Sequence, residues 1–129
     1  MPREYGGADV SYATVVEVIA MLSASDSSIG QLPQNHFCLL EDLRRHGTEA
    51  QKEFYYKLVL KGNRFANAIS ESSGEHVQDV RTTLHAGSSG LVINGRKSYC
   101  TGSMFAHWLG VLVIDETGNP QLAFVEQGR

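Results

Sequence analysis

The residues of this 129-residue chain that could do chemistry are scattered and mostly neutral. His36 lies in a helix-patterned stretch, and Leu39 and Leu40 occupy the i+3 and i+4 positions where a second metal ligand would have to stand, so no metal is expected there. A lone histidine can still donate a hydrogen bond or exchange a proton near neutral pH. Cys38 and Cys100 are too few and too far apart for a disulfide framework, and no histidine adjoins Cys100 to draw out a thiolate; both are expected as reduced thiols. Arg44-Arg45-His46 reads as the positive end of a helix rather than a phosphate site. Gly6-Gly7 is too short for a nucleotide fingerprint and has no strand before it. Asn67, Ser70 and Thr101 put one amide and two hydroxyls in β-rich stretches, where residue type alone signals only ordinary strand polarity.

These groups need elements to hold them, and the composition allows a core. The chain is 42% hydrophobic and 19% charged, close to an ordinary globular domain. A net charge of -3 with no run of Lys or Arg gives no footprint for nucleic acid or an anionic membrane, and the apolar stretches Val15 to Leu22 and Leu109 to Ile114 are broken or too short to span a bilayer. A small-molecule partner and a cytoplasmic location are expected.

Before residue 63 the apolar period is helical. Val15, Val18, Ile19 and Leu22 form one face, with Ser11 as N-cap and an end near Ser25-Asp26. Phe37, Leu40 and Leu43 form a second, closing at Gly47 in a left-handed conformation, with Pro33 starting or kinking the helix. Thr48 and Gln51 fit a capping box for a third helix whose apolar face would use Phe54, Tyr55 and Leu58, ending at Gly62. After residue 63, short β-rich runs follow: Phe65 to Ser70, Val80 to His85, Leu91 to Ile93, Arg96 to Thr101, Trp108 to Ile114 and Leu122 to Glu126. Asn94-Gly95 predicts a type I′ hairpin between two of them. The expected organisation is α+β, with a helical portion over 1–63 and a β portion over 64–129, each small for an independent domain; a piece of a longer protein is the expectation.

Pro2-Arg3-Glu4-Tyr5-Gly6-Gly7, the helical block, Ala66-Asn67-Ala68-Ile69-Ser70-Glu71 and Asn94-Gly95-Arg96-Lys97-Ser98-Tyr99-Cys100-Thr101-Gly102 resemble, in wording and order, the acyl-CoA dehydrogenase superfamily. Its members write a Pro-x-Glu-Tyr-Gly-Gly loop, a strand ending in Thr-Glu-Pro, and an Asn-Gly-x-Lys hairpin ending in a Thr beside the flavin. Asp26-Ser27-Ser28-Ile29-Gly30, Asn35-His36, Asn67-Ala68 and Tyr99-Cys100-Thr101-Gly102 look most similar to its dibenzothiophene-monooxygenase-like and sulfur-acquisition branch. The resemblance implies the helical N-terminal domain and the start of the β-barrel-like or β-sandwich middle domain, without the C-terminal helical bundle.

It also implies roles. Thr101 matches the family Thr at the N5 side of the flavin, Ser70 keeps the hydroxyl of the family's Thr-Glu-Pro, and Asn67 could add an amide contact to the ring. His36 corresponds to a helix histidine facing the flavin and substrate in the monooxygenase branch. Where the family writes Gly-Ser-Asp, this chain has Ser72-Ser73-Gly74-Glu75-His76. An acidic Glu75 near a diphosphate favours FMN over FAD. The implied activity is oxygenation of a small organic or organosulfur compound by reduced FMN and oxygen, with a flavin reductase as partner and a homo-oligomeric dimer or tetramer as the assembly. An FAD-dependent acyl-CoA dehydrogenase and a non-catalytic remnant are the alternatives, and the 129-residue piece alone is expected to be inactive.

Overall fold

A computed structural model of the chain describes residues 1–72, 76 and 79–128. They form two compact units, Met1–Phe65 and Ala66–Arg129.

In the first unit, helices α1 (Tyr12–Ser25) and α2 (Ser27–His46) are separated by a single residue. Asp26 serves both: its N–H closes the last turn of α1 on Leu22, and its Oδ1 accepts from the Ser28 and Ile29 amides at 2.8 and 3.3 Å, capping α2. Gly30 lets the two helices meet, since a Cβ there would lie 2.8 Å from the Ser23 Cα. Ser11 caps α1 on the Thr14 amide as expected. Pro33 lies inside α2 rather than at its start. Helix α3 (Glu49–Leu60) opens with the complete capping box, Thr48 N–H to Gln51 Oε1 at 2.8 Å and Gln51 N–H to Thr48 Oγ1 at 3.3 Å. Gly62, at a φ of +87°, turns the chain after it. Leu39, Leu40, Leu43 and Tyr56 make the core, and the Tyr56 hydroxyl donates to the Leu40 carbonyl.

Two expectations fail in this unit. Phe54 is 52% exposed, and the buried aromatic of α3 is Tyr56, at 1%, because its hydroxyl finds an acceptor on α2 while its ring stacks against Tyr5. Gly47 is not left-handed: its φ is -70°, and its need is for space, since a Cβ would fall 2.6 Å from the Leu43 carbonyl oxygen.

In the second unit, β1 (Phe65–Ala68), whose first residue closes the helical unit, is followed by β2 (Thr83–Gly87), β3 (Gly90–Asn94), β4 (Trp108–Ile114) and β5 (Pro120–Glu126) in a five-stranded sheet. The path runs β1-β4-β2-β3, with β5 also on β4. Strands β4 and β5 pair antiparallel from Trp108↔Glu126 to Ile114↔Pro120, around a turn in which Asp115 Oδ1 accepts from the Thr117 and Asn119 amides. Strand β2 touches β4 in parallel only at Thr83↔Ile114. Ala68, Val111 and Val113 are buried, with Leu84, Ile93, Cys100, Leu109 and Ala123 packed on them.

The expected Asn94-Gly95 hairpin is not formed. The hairpin is β2–β3, turning at Ser88-Ser89 with Gly87 opposite Gly90, while residues 96–101 form no strand. The cause is non-local: Gly95 lies against the buried Thr82, so close that a Cβ would fall 2.3 Å from its Oγ1 and 2.7 Å from its Cα, and the chain leaves the sheet there. Gly95→Ala should therefore destabilise the β unit by roughly 1–3 kcal/mol, the usual cost of overpacking, whereas Gly128→Ala, which meets nothing, should stay within about 0.5 kcal/mol. Urea unfolding followed by Trp108 fluorescence separates the two; equal midpoints would remove the steric account.

Candidate functional site

His36 sits half-buried two turns beyond the first turn of α2. Its Nδ1 accepts a hydrogen bond from the Phe65 amide at 3.2 Å, and its ring centroid lies 5.8 Å from those of both Phe37 and Phe65. Burial, and then the positive charges of Arg64 and the chain N-terminus, lower its pKa to about 4. The imidazole is neutral at pH 7, and the acceptor role of Nδ1 places the proton on Nε2. No described residue takes that proton, which leaves Nε2–H as a donor.

The other candidates belong to the β unit. Asn67 is half-buried in β1 between Ala66 and Ala68, and strand alternation sends its side chain to the face opposite theirs. Ser70 follows the strand, and its carbonyl accepts from the Ser98 amide at 2.9 Å, which joins it to the segment that leads to Thr101. Thr101 comes just after Tyr99, a non-glycine residue at a φ of +58°, and donates its N–H to the Tyr99 carbonyl. The side chains of Asn67, Ser70 and Thr101 enter no hydrogen bond among the described residues. Ser70 and the 98–101 segment are thus brought together; Asn67 is reached along β1, and His36 belongs to the helical unit.

Sequence reasoning overlooked the charged pair behind these neutral groups. Lys97 Nζ donates to Glu71 Oε1 at 2.7 Å and to the Ile69 carbonyl at 3.0 Å, with the side chains only 7% and 2% exposed. Glu71 also accepts from the Arg81 and Thr82 amides, both at 3.0 Å, and from the Thr82 hydroxyl at 2.8 Å. Burial alone would raise the Glu71 pKa, but the Lys97 ammonium and the Thr82 and Arg81 donors outweigh it and bring it down to about 2. The available signal was a charge inside each of two β-rich motifs, Ile69-Ser70-Glu71 and Arg96-Lys97-Ser98.

The altered turn at Ser72 to His76 includes Ser73, Gly74 and Glu75, which lie outside the described residues. Among the described residues, no three His, Cys, Asp or Glu groups gather as a metal site, and no helix is long and apolar enough to cross a membrane. Arg44 and Arg45 are held by Glu41 and the Tyr12 hydroxyl.

The depressed His36 pKa has a signed consequence for stability. Between about pH 4 and 6.5 the unfolded chain binds a proton that the folded chain refuses, so His36 favours folding above that window and its contribution is lost as pH falls through it. The change amounts to roughly 3 kcal/mol. His36→Gln should flatten the urea-derived stability between pH 6.5 and 4.5 relative to wild type; parallel curves would show the ring to be freely protonated in the fold.

Residues 1–63 match the family described as acyl-CoA dehydrogenase, N-terminal domain. A dibenzothiophene monooxygenase of Rhodococcus erythropolis is 31% identical over 123 residues, which is 94% of this chain and 29% of that protein. The mitochondrial isovaleryl-CoA dehydrogenase of Oryza sativa subsp. japonica is 34% identical over 113 residues, 85% of this chain and 28% of that protein. The crystal structure of FMN-bound TdsC from Paenibacillus sp. A11-2 superposes with a TM-score of 0.85 at 31% identity, covering 96% of this chain and 32% of TdsC. The chain therefore spans less than a third of the length of these relatives; over that span its three helices and the sheet that follows them have the acyl-CoA dehydrogenase fold, and residues 1–63 match that family's N-terminal domain.

Proposed function

We propose that this protein is a flavin-dependent oxidoreductase that uses reduced FMN and oxygen to oxygenate a small organic or organosulfur compound. The observation that carries this reading is the match of 96% of the chain to an FMN-bound relative at 31% identity. The chemistry of the donor set supports it. An isoalloxazine ring is recognised through N5, N1 and O2 by neutral hydrogen-bonding groups, and the Thr101 and Ser70 hydroxyls and the Asn67 amide, which have no side-chain partner among the described residues, are of that kind. The nearest carboxylate, Glu71, is turned inward onto Lys97, so it adds no exposed negative charge beside them.

In this reading Thr101 serves the N5 side of the ring and Ser70 and Asn67 hold its polar edge; Asn67 lies in β1, Ser70 just beyond it, and Thr101 in the segment that the Ser98 amide ties to the Ser70 carbonyl, so little reorganisation is needed. His36 is a donor rather than a base: neutral at pH 7, it offers Nε2–H to a developing negative charge on oxygen or substrate. Bound reduced flavin would supply two electrons to dioxygen, with one oxygen atom going to the substrate and the other to water. A separate flavin reductase would supply the reduced FMN, and a homo-oligomer would be the working assembly.

The test uses protein expressed from its complete coding sequence, titrated with FMN and FAD by flavin fluorescence, then supplied with NADH, a flavin reductase and dibenzothiophene as probe. Preferential FMN binding and oxygen-dependent sulfoxide formation are expected. Preference for FAD, with reduction of the bound flavin by an acyl-CoA, would replace this reading by a dehydrogenase, and no binding of either flavin would support a non-catalytic chain. Thr101→Val, which keeps shape and loses the hydroxyl, should weaken FMN binding or slow turnover by roughly tenfold. His36→Phe should depress oxygenation while leaving FMN affinity within about twofold; equal loss of both would make His36 structural.

A further inference from the structure

We infer that the buried Glu71–Lys97 pair is a positioning device: it sets the shape of residues 96–101 and thereby the placement of Ser70 and Thr101. The placement of flavin on those two residues rests on the function proposed above; the locking of the segment does not.

The observations are convergent. Residues 96–101 have no strand partner, so no ladder defines their course. What holds them is Lys97 on Glu71 and the Ile69 carbonyl, the Ser98 amide on the Ser70 carbonyl, and the Ser98 hydroxyl on the Ser72 hydroxyl. All of these anchor on one stretch, Ile69 to Ser72. Glu71 in turn is fixed by the Arg81 and Thr82 amides and the Thr82 hydroxyl, and Thr82 is the residue against which Gly95 packs. One carboxylate therefore joins the end of β1, the approach to β2 and the segment after β3.

A buried ion pair gains little over a well-packed apolar pair in stability, while breaking one partner is strongly unfavourable. Its value here is geometric. Lys97 has two acceptors on the one stretch Ile69 to Glu71, a carbonyl and a carboxylate, so satisfying both restricts where the backbone at residue 97 can lie. Tyr99 is held at a φ of +58° and is 86% exposed, so neither its intrinsic preference nor its own packing accounts for the bend; the anchors at Lys97 and Ser98 before it and the packing of Cys100 on the sheet core after it do. Thr101 follows that bend directly.

The experiment has two arms. In the wild-type protein, native-state hydrogen exchange should protect the Ser98 amide about 100-fold or more relative to an unstructured amide, although it lies outside every strand; exchange at the free rate would overturn the proposal without any mutation. In Lys97→Met, exchange should accelerate at Ser98 to Gly102 while the β4–β5 amides keep their protection, and FMN affinity should fall about tenfold or more. Lys97→Met with unaltered Ser98 exchange, or with unaltered FMN affinity, would overturn it. If Lys97→Met fails to fold, Glu71→Gln is the second variant, retaining an acceptor for Thr82 while removing the charge, and the same two readouts apply. Absence of FMN binding by the wild-type protein would count against the proposed function alone, with the exchange arm still deciding whether the pair locks the segment.

Discussion

The Glu71 carboxylate is the constraint on which the β unit turns. A side chain 2% exposed cannot keep a negative charge without replacing its lost hydration, and four donors do so: the Lys97 ammonium, two backbone amides and the Thr82 hydroxyl. These donors bring two stretches of chain to the carboxylate, Arg81-Thr82 and the segment at Lys97. The arrangement explains why Thr82 is buried, why Gly95 can carry no side chain, and why the chain leaves the sheet after Asn94. Satisfying one buried charge thus specifies a loop conformation that strand pairing does not.

The helical unit uses the opposite strategy at His36. There the site keeps a titratable group uncharged, through burial against Phe37 and Phe65 with Arg64 and the N-terminus adding repulsion, and satisfies one nitrogen with a backbone amide. The other nitrogen is left as a donor of fixed tautomer. Asp26 and the Gly30–Ser23 approach seat α1 against α2, the helix that carries the histidine. The two units thus treat a titratable group in opposite ways, one keeping His36 uncharged and the other keeping Glu71 ionised and fully satisfied.

Local physics was readable in the residues, and long-range physics was not. Ser11, the Thr48–Gln51 box, Gly62 and the strand Trp108–Ile114 were legible because caps, left-handed glycine and an apolar β run act within a few residues. Asn94-Gly95 misled for the same reason. The pair has strong hairpin chemistry, but the deciding contact is with Thr82, a dozen residues earlier, and no turn rule contains that information. Gly47 and Phe54 failed likewise: the glycine answers to a carbonyl of the preceding turn, and the choice of Tyr56 over Phe54 depends on an acceptor on another helix. Among the candidate residues, type and motif singled out the hydroxyls and the amide, whereas the pair that organises the segment around them was hidden in the charged members of the same motifs.

That division has a physical basis. Groups that meet a ligand must keep unsatisfied hydrogen-bonding capacity, and Thr101, Ser70 and Asn67, the residues proposed for that role, have no side-chain partner among the described residues. Groups meant to hold them must be fully satisfied, because a half-satisfied buried charge is costlier than none. Glu71 and Lys97 meet that condition with short contacts to backbone and to each other. In the function proposed above, a ring held by these neutral donors would gain from the separation, since the Lys97 ammonium and the Glu71 carboxylate are turned onto each other and not toward it. Reversing the two sets, with charges outward and hydroxyls inward, would leave the same composition and a site suited to a charged ligand instead.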